Sequence, residues 1–348
     1  MKEFLSEALN TASVMGAEYA DIRIEDLKNE YISVKNNKVE YINYSESLGF
    51  GIRVLVNGCW GFASSSIITM DEVRKVVSQA IKIAKASGMV KKEKVRLSRT
   101  SVIVGKYISQ YGIDPFRVAL GEKLELLLKA NEIMTSYKEI KMAEASMTFW
   151  KHTKLFASSE GANIEQEYIK SGGGIQVMAK NDSDMQIRSY PANSGGDFRN
   201  SGYEFINTLK LKENADRISQ EAIKLLSAEQ CPSGQKTVII DSNQLAIQIH
   251  ESIGHPAEFD RVLGTEASFA GTSFLTIDKL NKLIYGTPIV NVFADATIPY
   301  GLGSYAFDDE GVASKRVPLI QEGLFTGYLT SRETATLLEQ ESSGAMKA

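Results

Sequence analysis

The reading turns on Asp241-Ser242-Asn243-Gln244-Leu245-Ala246-Ile247-Gln248-Ile249-His250-Glu251-Ser252-Ile253-Gly254-His255-Pro256. Asp241 or Ser242 can cap a helix, because a short side-chain oxygen accepts a free N–H of the first turn. Leu245, Ile249 and Ile253 stand four apart and predict an apolar stripe lying against a core. His250 and Glu251 then point off that stripe. A helix turns about 100° per residue, so histidines four apart lie about 40° apart around its axis, the geometry of His-Glu-x-x-His zinc sites. Here the second histidine comes five residues on, about 140° away on an unbroken helix, too wide for one ion at the bond lengths of zinc. Gly254 precedes His255 and Pro256 follows it, and proline disfavours helical geometry at the residue before it. The helix is therefore predicted to end or bulge at Gly254, turning His255 back toward His250 with Glu251 beside a metal-bound water.

Upstream of this helix, Lys236-Thr237-Val238-Ile239-Ile240-Asp241 reads as a strand, and Cys231-Pro232-Ser233-Gly234-Gln235 as a break in the chain. The break suggests an α+β domain over 1–230, rich in helices and antiparallel β-meanders. A mainly β C-terminal domain over 231–348 would then carry the metal-motif helix. Helical spacing in Phe4–Val14 and Asp71–Ala86 brackets short alternating runs at Ala20–Ile24, Tyr31–Val34, Val39–Ile42 and Gly51–Val56. Lys35-Asn36-Asn37-Lys38 and Val56-Asn57-Gly58 are their turns. A helical Phe116–Tyr137 followed by strands over Met142–Met178 repeats the theme, with breaks read at Ser158–Gly161 and Ser171–Gly174. A polar stretch, Asn193–Ser201, leads to a further helix over Ala215–Leu225.

The 348 residues are 43% hydrophobic, enough for a large core and for two domains. With 39 basic and 43 acidic side chains the net charge is −4, which argues against a nucleic-acid partner. The opening Met1-Lys2-Glu3-Phe4-Leu5-Ser6-Glu7 lacks the apolar run of a secretory signal, and no segment has membrane-spanning length, so a cytoplasmic protein without membrane contact is expected. Cys59 and Cys231 are too few for a disulfide framework and too far apart for a metal knuckle, which reads them as buried or inert thiols.

The run His250 to Asp260 resembles the His-Glu-x-x-x-His helix of TldD-type peptidases in the TldD/PmbA family. Phe307-Asp308-Asp309-Glu310-Gly311-Val312-Ala313 and the hairpin over 317–329 resemble that family's Asp-Asp-Glu-Gly segment. Gly49–Val54 and Gly61–Ser65 resemble its glycine-arginine strand and partner, so nearly the whole chain is covered. The resemblance implies a zinc-dependent peptidase with His250 and His255 as ligands and Glu251 as general base. It also implies an enclosed cavity that admits peptides or unfolded segments, and a hetero- or homodimer with another family subunit.

The same resemblance implies a third ligand, a cysteine in the family's final third, which neither Cys59 nor Cys231 matches; the chain is expected to end before it. Glu258, three residues beyond His255, is the best-placed substitute, completing a His2Glu set, or else orients a histidine. The alternative function is a non-catalytic scaffold or partner subunit. Asp308, Asp309 and Glu310 cannot all face one ion from an extended chain and read as an active-site wall or an interface. Gly303, Gly311 and Gly323 read as turns, Arg53 as a surface strand residue packed on Trp60, and His152 as a structural strand histidine.

Overall fold

The computed structural model describes residues 1–90, 93–192 and 195–347; Asn193 and Ser194 of the polar stretch lie outside them. Helix α1 (Lys2–Val14) precedes strands β1 (Tyr19–Lys35), β2 (Lys38–Val56) and β3 (Cys59–Ser65), and helix α2 spans Met70–Ser87. The short runs read at 20–24 and 31–34 are thus one continuous strand, as are those at 39–42 and 51–56. Asn36 and Asn37 have φ of 47° and 63°, and Asn57 and Gly58 have 52° and 74°. Left-handed pairs of this kind match the strand twist in two-residue hairpins.

Strand β4 (Val104–Ile108) follows, then helix α3 (Leu120–Met134), β5 (Ile140–Ser158), β6 (Asn163–Lys180), β7 (Met185–Tyr190) and β8 (Asp197–Arg199). One eight-stranded sheet results, in the order β3-β2-β1-β5-β6-β4, with β7 and β8 also pairing with β6. All its pairings are antiparallel except β4 with β6. The break expected at Ser171–Gly174 is absent, because these residues sit inside β6. Their glycines answer a different demand. A Cβ on Gly172 would stand 1.9 Å from the Phe198 ring, and one on Gly174 would stand 2.6 Å from the Gly196 backbone. Bare backbone lets the returning chain lie directly on the strand.

Helices α4 (Glu204–Leu209) and α5 (Leu211–Leu225) complete this part. Period-two alternation gives the sheet two unlike faces. Ile22, Ile24, Phe50, Ile52 and Val54 are buried with Val73, Val77 and Ile81 of α2. Farther along, Ile32, Ala145, Met147 and Val177 are buried with Leu127 of α3 and Ile218 of α5. The alternate positions, Arg23, Arg53, Lys154 and Gln166, carry polar side chains that meet residues 307–310.

The remaining elements are short: α6 (Ser242–Ile249), α7 (Phe259–Val262), α8 (Ala267–Ala270), β9 (Val292–Asp295), β10 (Arg316–Gln321), β11 (Leu324–Phe325) and α9 (Arg332–Ala335). The hairpin turn at Glu322-Gly323, φ 48° and 79°, falls where Gly323 was read as a turn. A third core gathers Ile253, Ala257, Phe259, Leu275, Leu319, Ile320, Phe325 and Tyr328. Two expectations fail here. Lys236–Asp241 forms no strand, since no described strand lies beside it to satisfy its backbone. Of the expected stripe only Ile253 reaches the core, at 2% exposure, while Leu245 and Ile249 are 41% and 36% exposed. Among the described residues nothing buries the first two turns of α6.

Candidate metal centre

Asp241 caps α6, its carboxylate accepting from the Asn243 N–H at 2.9 Å. The helix does not stop at Gly254. It widens over His250–Gly254 into a π-turn, in which the His255 N–H donates to the His250 carbonyl five residues back. A turn wide enough for one extra residue puts positions five apart on the same side of the axis, and such bulges recur at functional sites. The two imidazole centroids stand 4.2 Å apart. The bulge predicted at Gly254 is therefore present, although Gly254 itself keeps a right-handed φ of −56°. A Cβ there would meet His250 Nδ1 at an ordinary 3.5 Å, so neither strain nor crowding demands glycine.

Core packing fixes the turn from below. Ile253, Ala257 and Phe259 are buried in the third core. The Phe259 N–H donates to the Leu329 carbonyl at 2.9 Å and the Leu329 N–H to the Ala257 carbonyl at 2.8 Å. The segment that carries His255 and Glu258 is thereby laced to the chain beyond β11.

His250, Glu251 and His255 each offer a donor atom, and the three atoms lie within 4.8 Å of one another. Tetrahedral zinc, with bonds of about 2.0–2.1 Å, needs donors roughly 3.3 Å apart. His250 and Glu251 have side chains 59% and 66% exposed, free to rotate that distance. The two imidazoles suit zinc as ligands, and the carboxylate beside them suits the work of a base next to such an ion. Glu258 stands apart from the three: its Oε1 is 2.8 Å from His255 Nδ1. That contact leaves His255 Nε2 for a metal. Arg261, which the sequence reading passed over, reaches the same Glu258 carboxylate from Nε at 3.2 Å. The i,i+3 spacing of opposite charges was its available signal.

The histidines sit between two open clefts. His250 lines one of about 540 Å³ with Asp295, Tyr305 and Lys315. His255 lines another of about 700 Å³ with Glu258, Arg261 and Thr330. Leu329, Ala345 and Lys347 border both.

The acidic trio lies at the junction with the large sheet. Asp308, Asp309 and Glu310 are almost fully buried. Asp309 meets Lys154, with Arg23 at 3.3 Å and Lys347 at 3.4 Å; Glu310 meets Arg53 at 3.3 Å and accepts from the Arg332 backbone N–H at 2.6 Å. These contacts join the segment to the large sheet within the chain. Burial raises Asp308 to about 6, against the backbone N–H bonds it accepts from Val312 and Glu310. Arg53 does lie 4.5 Å from the Trp60 ring, but it is no surface residue: it also binds Asp21 at 2.7 Å and is 15% exposed. His152 lies on β5, 3.6 Å from Glu25. Cys59 is buried and Cys231 is exposed, so only the first is the buried thiol expected, and neither joins the three donors.

Three sequence profiles match: the PmbA/TldA metallopeptidase domain 1 over residues 20–84, the central domain over 113–228 and the C-terminal domain over 233–347. A metalloprotease of Methanocaldococcus jannaschii is 34% identical over 335 residues, spanning 95% of this chain and 70% of the relative. The zinc metalloprotease TldD homolog of Saccharolobus solfataricus is 23% identical, spanning 98% and 71%. The crystal structure of TldE from Thermococcus kodakarensis superposes with a TM-score of 0.70 at 16% identity, spanning 98% of this chain and 73% of that one. No helix among the described residues is long and apolar enough to cross a membrane. With three family profiles matched along its length and a relative 34% identical, the chain belongs to the PmbA/TldD family of metallopeptidases.

Proposed function

We propose that this chain is a zinc-dependent peptidase subunit in which His250 and His255 hold the ion and Glu251 is the general base. The observation that carries the proposal is the π-turn, which brings histidines five residues apart to a ring separation of 4.2 Å with Glu251 between them in sequence. Zinc, when bound, supplies Lewis acidity and lowers the pKa of a coordinated water. The residues do the rest. The imidazoles bind through neutral ring nitrogens. Glu251, ionised, accepts the proton of the attacking water and returns it to the departing amine nitrogen. The clefts either side of the histidines offer an extended peptide a path past His250 and His255.

The substrates in this reading are peptides or unfolded segments admitted to a cavity enclosed by a dimer, with 1–230 supplying walls and subunit contacts and 231–348 the metal centre. The second subunit is another copy or a related family member, in the cytoplasm. A non-catalytic scaffold is the competing role. It is favoured by the count of ligands: with Glu251 as base, only His250 and His255 remain of the three clustered donors among the described residues, and Glu258 is engaged elsewhere.

Metal analysis and hydrolysis separate the two. Purified protein should carry about one zinc per chain, lost in His250→Ala. Glu251→Gln should keep the metal and lose peptide hydrolysis by about 10²-fold or more. Absence of zinc under metal-replete conditions favours the scaffold, and undiminished hydrolysis by Glu251→Gln removes the base assignment.

A further inference from the structure

We infer that Arg261 is a positioning residue of this centre, acting through Glu258 to set which nitrogen of His255 carries the proton. The inference rests on the zinc reading above. A neutral imidazole has one N–H and one lone pair, and only the lone pair binds a metal. Glu258 Oε1 stands 2.8 Å from His255 Nδ1. A carboxylate and a bare ring nitrogen are both acceptors and repel at that distance, so the proton lies on Nδ1 and the lone pair on Nε2.

Glu258 cannot hold that place alone, because its side chain is 31% exposed and free to turn to water. Arg261 prevents the turn. Its Nε lies 3.2 Å and its Nη2 3.1 Å from Glu258 Oε2, a two-pronged grip on one oxygen that leaves the other for the ring. Arg261 is itself fixed, Nη1 donating to the Ala270 carbonyl at 2.8 Å with the side chain 16% exposed. Its Nη2 also comes within 3.2 Å of His255 Nδ1. Alone, a guanidinium there favours a lone pair on Nδ1 and hence the proton on Nε2, but the ionic Glu258 oxygen is nearer, at 2.8 Å against 3.2 Å, and prevails while Arg261 holds it in place. The order Arg261–Glu258–His255 selects the binding tautomer; Arg261 beside the ring without Glu258 selects the other.

Nitrogen-15 NMR of the zinc-free protein tests this directly, since the chain has only three histidines to assign, His152, His250 and His255. In the wild type His255 should be protonated at Nδ1. In Arg261→Ala the Nε2–H form should appear at His255 and at no other histidine. Zinc affinity, measured by competition with a chromophoric chelator, should fall about ten- to a hundredfold in Arg261→Ala, and Arg261→Lys should recover part of it. Glu258→Ala, which leaves Arg261 facing the ring, should show the largest tautomer change. An unchanged His255 tautomer in Arg261→Ala overturns the inference, even if the variant melts earlier, because a purely structural arginine would do only that. Zinc affinity within about twofold of wild type overturns it as well. If the wild type itself takes up no zinc, the peptidase reading and this role fall together; if it binds zinc and the variants match it, only the role of Arg261 falls.

Discussion

Asp308 sits at the turn of the acidic trio, accepting from the backbone N–H groups of Glu310 and Val312, each at 2.9 Å. Desolvation nonetheless raises it from the ordinary 3.8 to about 6. A carboxyl raised on folding supports the folded state in its protonated form. Its contribution is full below about pH 3.8 and is lost as pH rises through about 6, and the gap corresponds to roughly 3 kcal/mol. Asp308→Asn keeps Oδ1 for the Glu310 and Val312 N–H groups, gives up only the longer 3.3 Å bond that Oδ2 accepts from the Met346 N–H, and does not titrate. Between about pH 4 and pH 7 the variant should therefore gain on the wild type by up to roughly 3 kcal/mol in urea unfolding. A difference that stays flat with pH would refute this. Strand geometry argues that three successive acids cannot all face one ion from an extended chain. The sequence could not show which basic residues they meet, because Arg23, Arg53 and Lys154 arrive from strands more than 150 positions earlier. The pair His250 and His255 was legible for the opposite reason: spacing and helical geometry are local, and they required the irregular turn that is present.

At the scale of elements, the helices and hairpin turns followed from local pattern. Strand lengths did not, because the 17 residues of β1 are held extended by β2 and β5 on either side, through stretches whose own alternation lapses. Lys236–Asp241 shows the converse, a strand-like sequence with no described neighbour to pair with. Glycine in a strand was ambiguous in the same way: in β6 it marks close approach where the sequence suggested a break. Gly61 in β3 is a sharper instance, since a Cβ there would stand 2.0 Å from the Ala80 carbonyl and 2.6 Å from the Ala84 nitrogen of α2. The helix backbone rests directly on the strand, and the atoms in the way belong to no flexible side chain. Gly61→Ala should force α2 outward and cost about 1–3 kcal/mol, read as a lower urea midpoint at unchanged slope. A midpoint equal to that of the wild type would show that the helix yields freely.

For the whole molecule, the question is what holds the segment that carries the metal centre against the large sheet. The contact is predominantly one of charges: Lys154, 3% exposed, faces Asp309 and lies 3.3 Å from Glu25, while Arg332 takes Glu160 at 2.7 Å and the Ser98 carbonyl at 2.8 Å. Trp60 of β3 donates to Glu333 at 2.7 Å across the same boundary. Buried ion pairs add little net stability over apolar packing, yet losing one partner leaves a charge stranded and costs about 3–5 kcal/mol. Asp309→Ala strands part of the Lys154, Arg23 and Lys347 charge, softened because Lys154 keeps Glu25, so a loss of about 3 kcal/mol is expected. The loss should fall on the docking, because the helix-covered cores on the other face of the sheet are untouched by the change. Trp60 reports the boundary and Trp150, packed 5.6 Å from Phe198 within the sheet, reports the sheet itself. In Asp309→Ala, urea should therefore shift the Trp60 signal to lower concentration, seen in a Trp150→Phe background. The Trp150 signal, seen with Trp60→Phe, should stay near its midpoint in the Asp309-bearing parent. Two coincident transitions moving together would mean that the charges stabilise the molecule as one cooperative unit and do not act as the fastening between its parts.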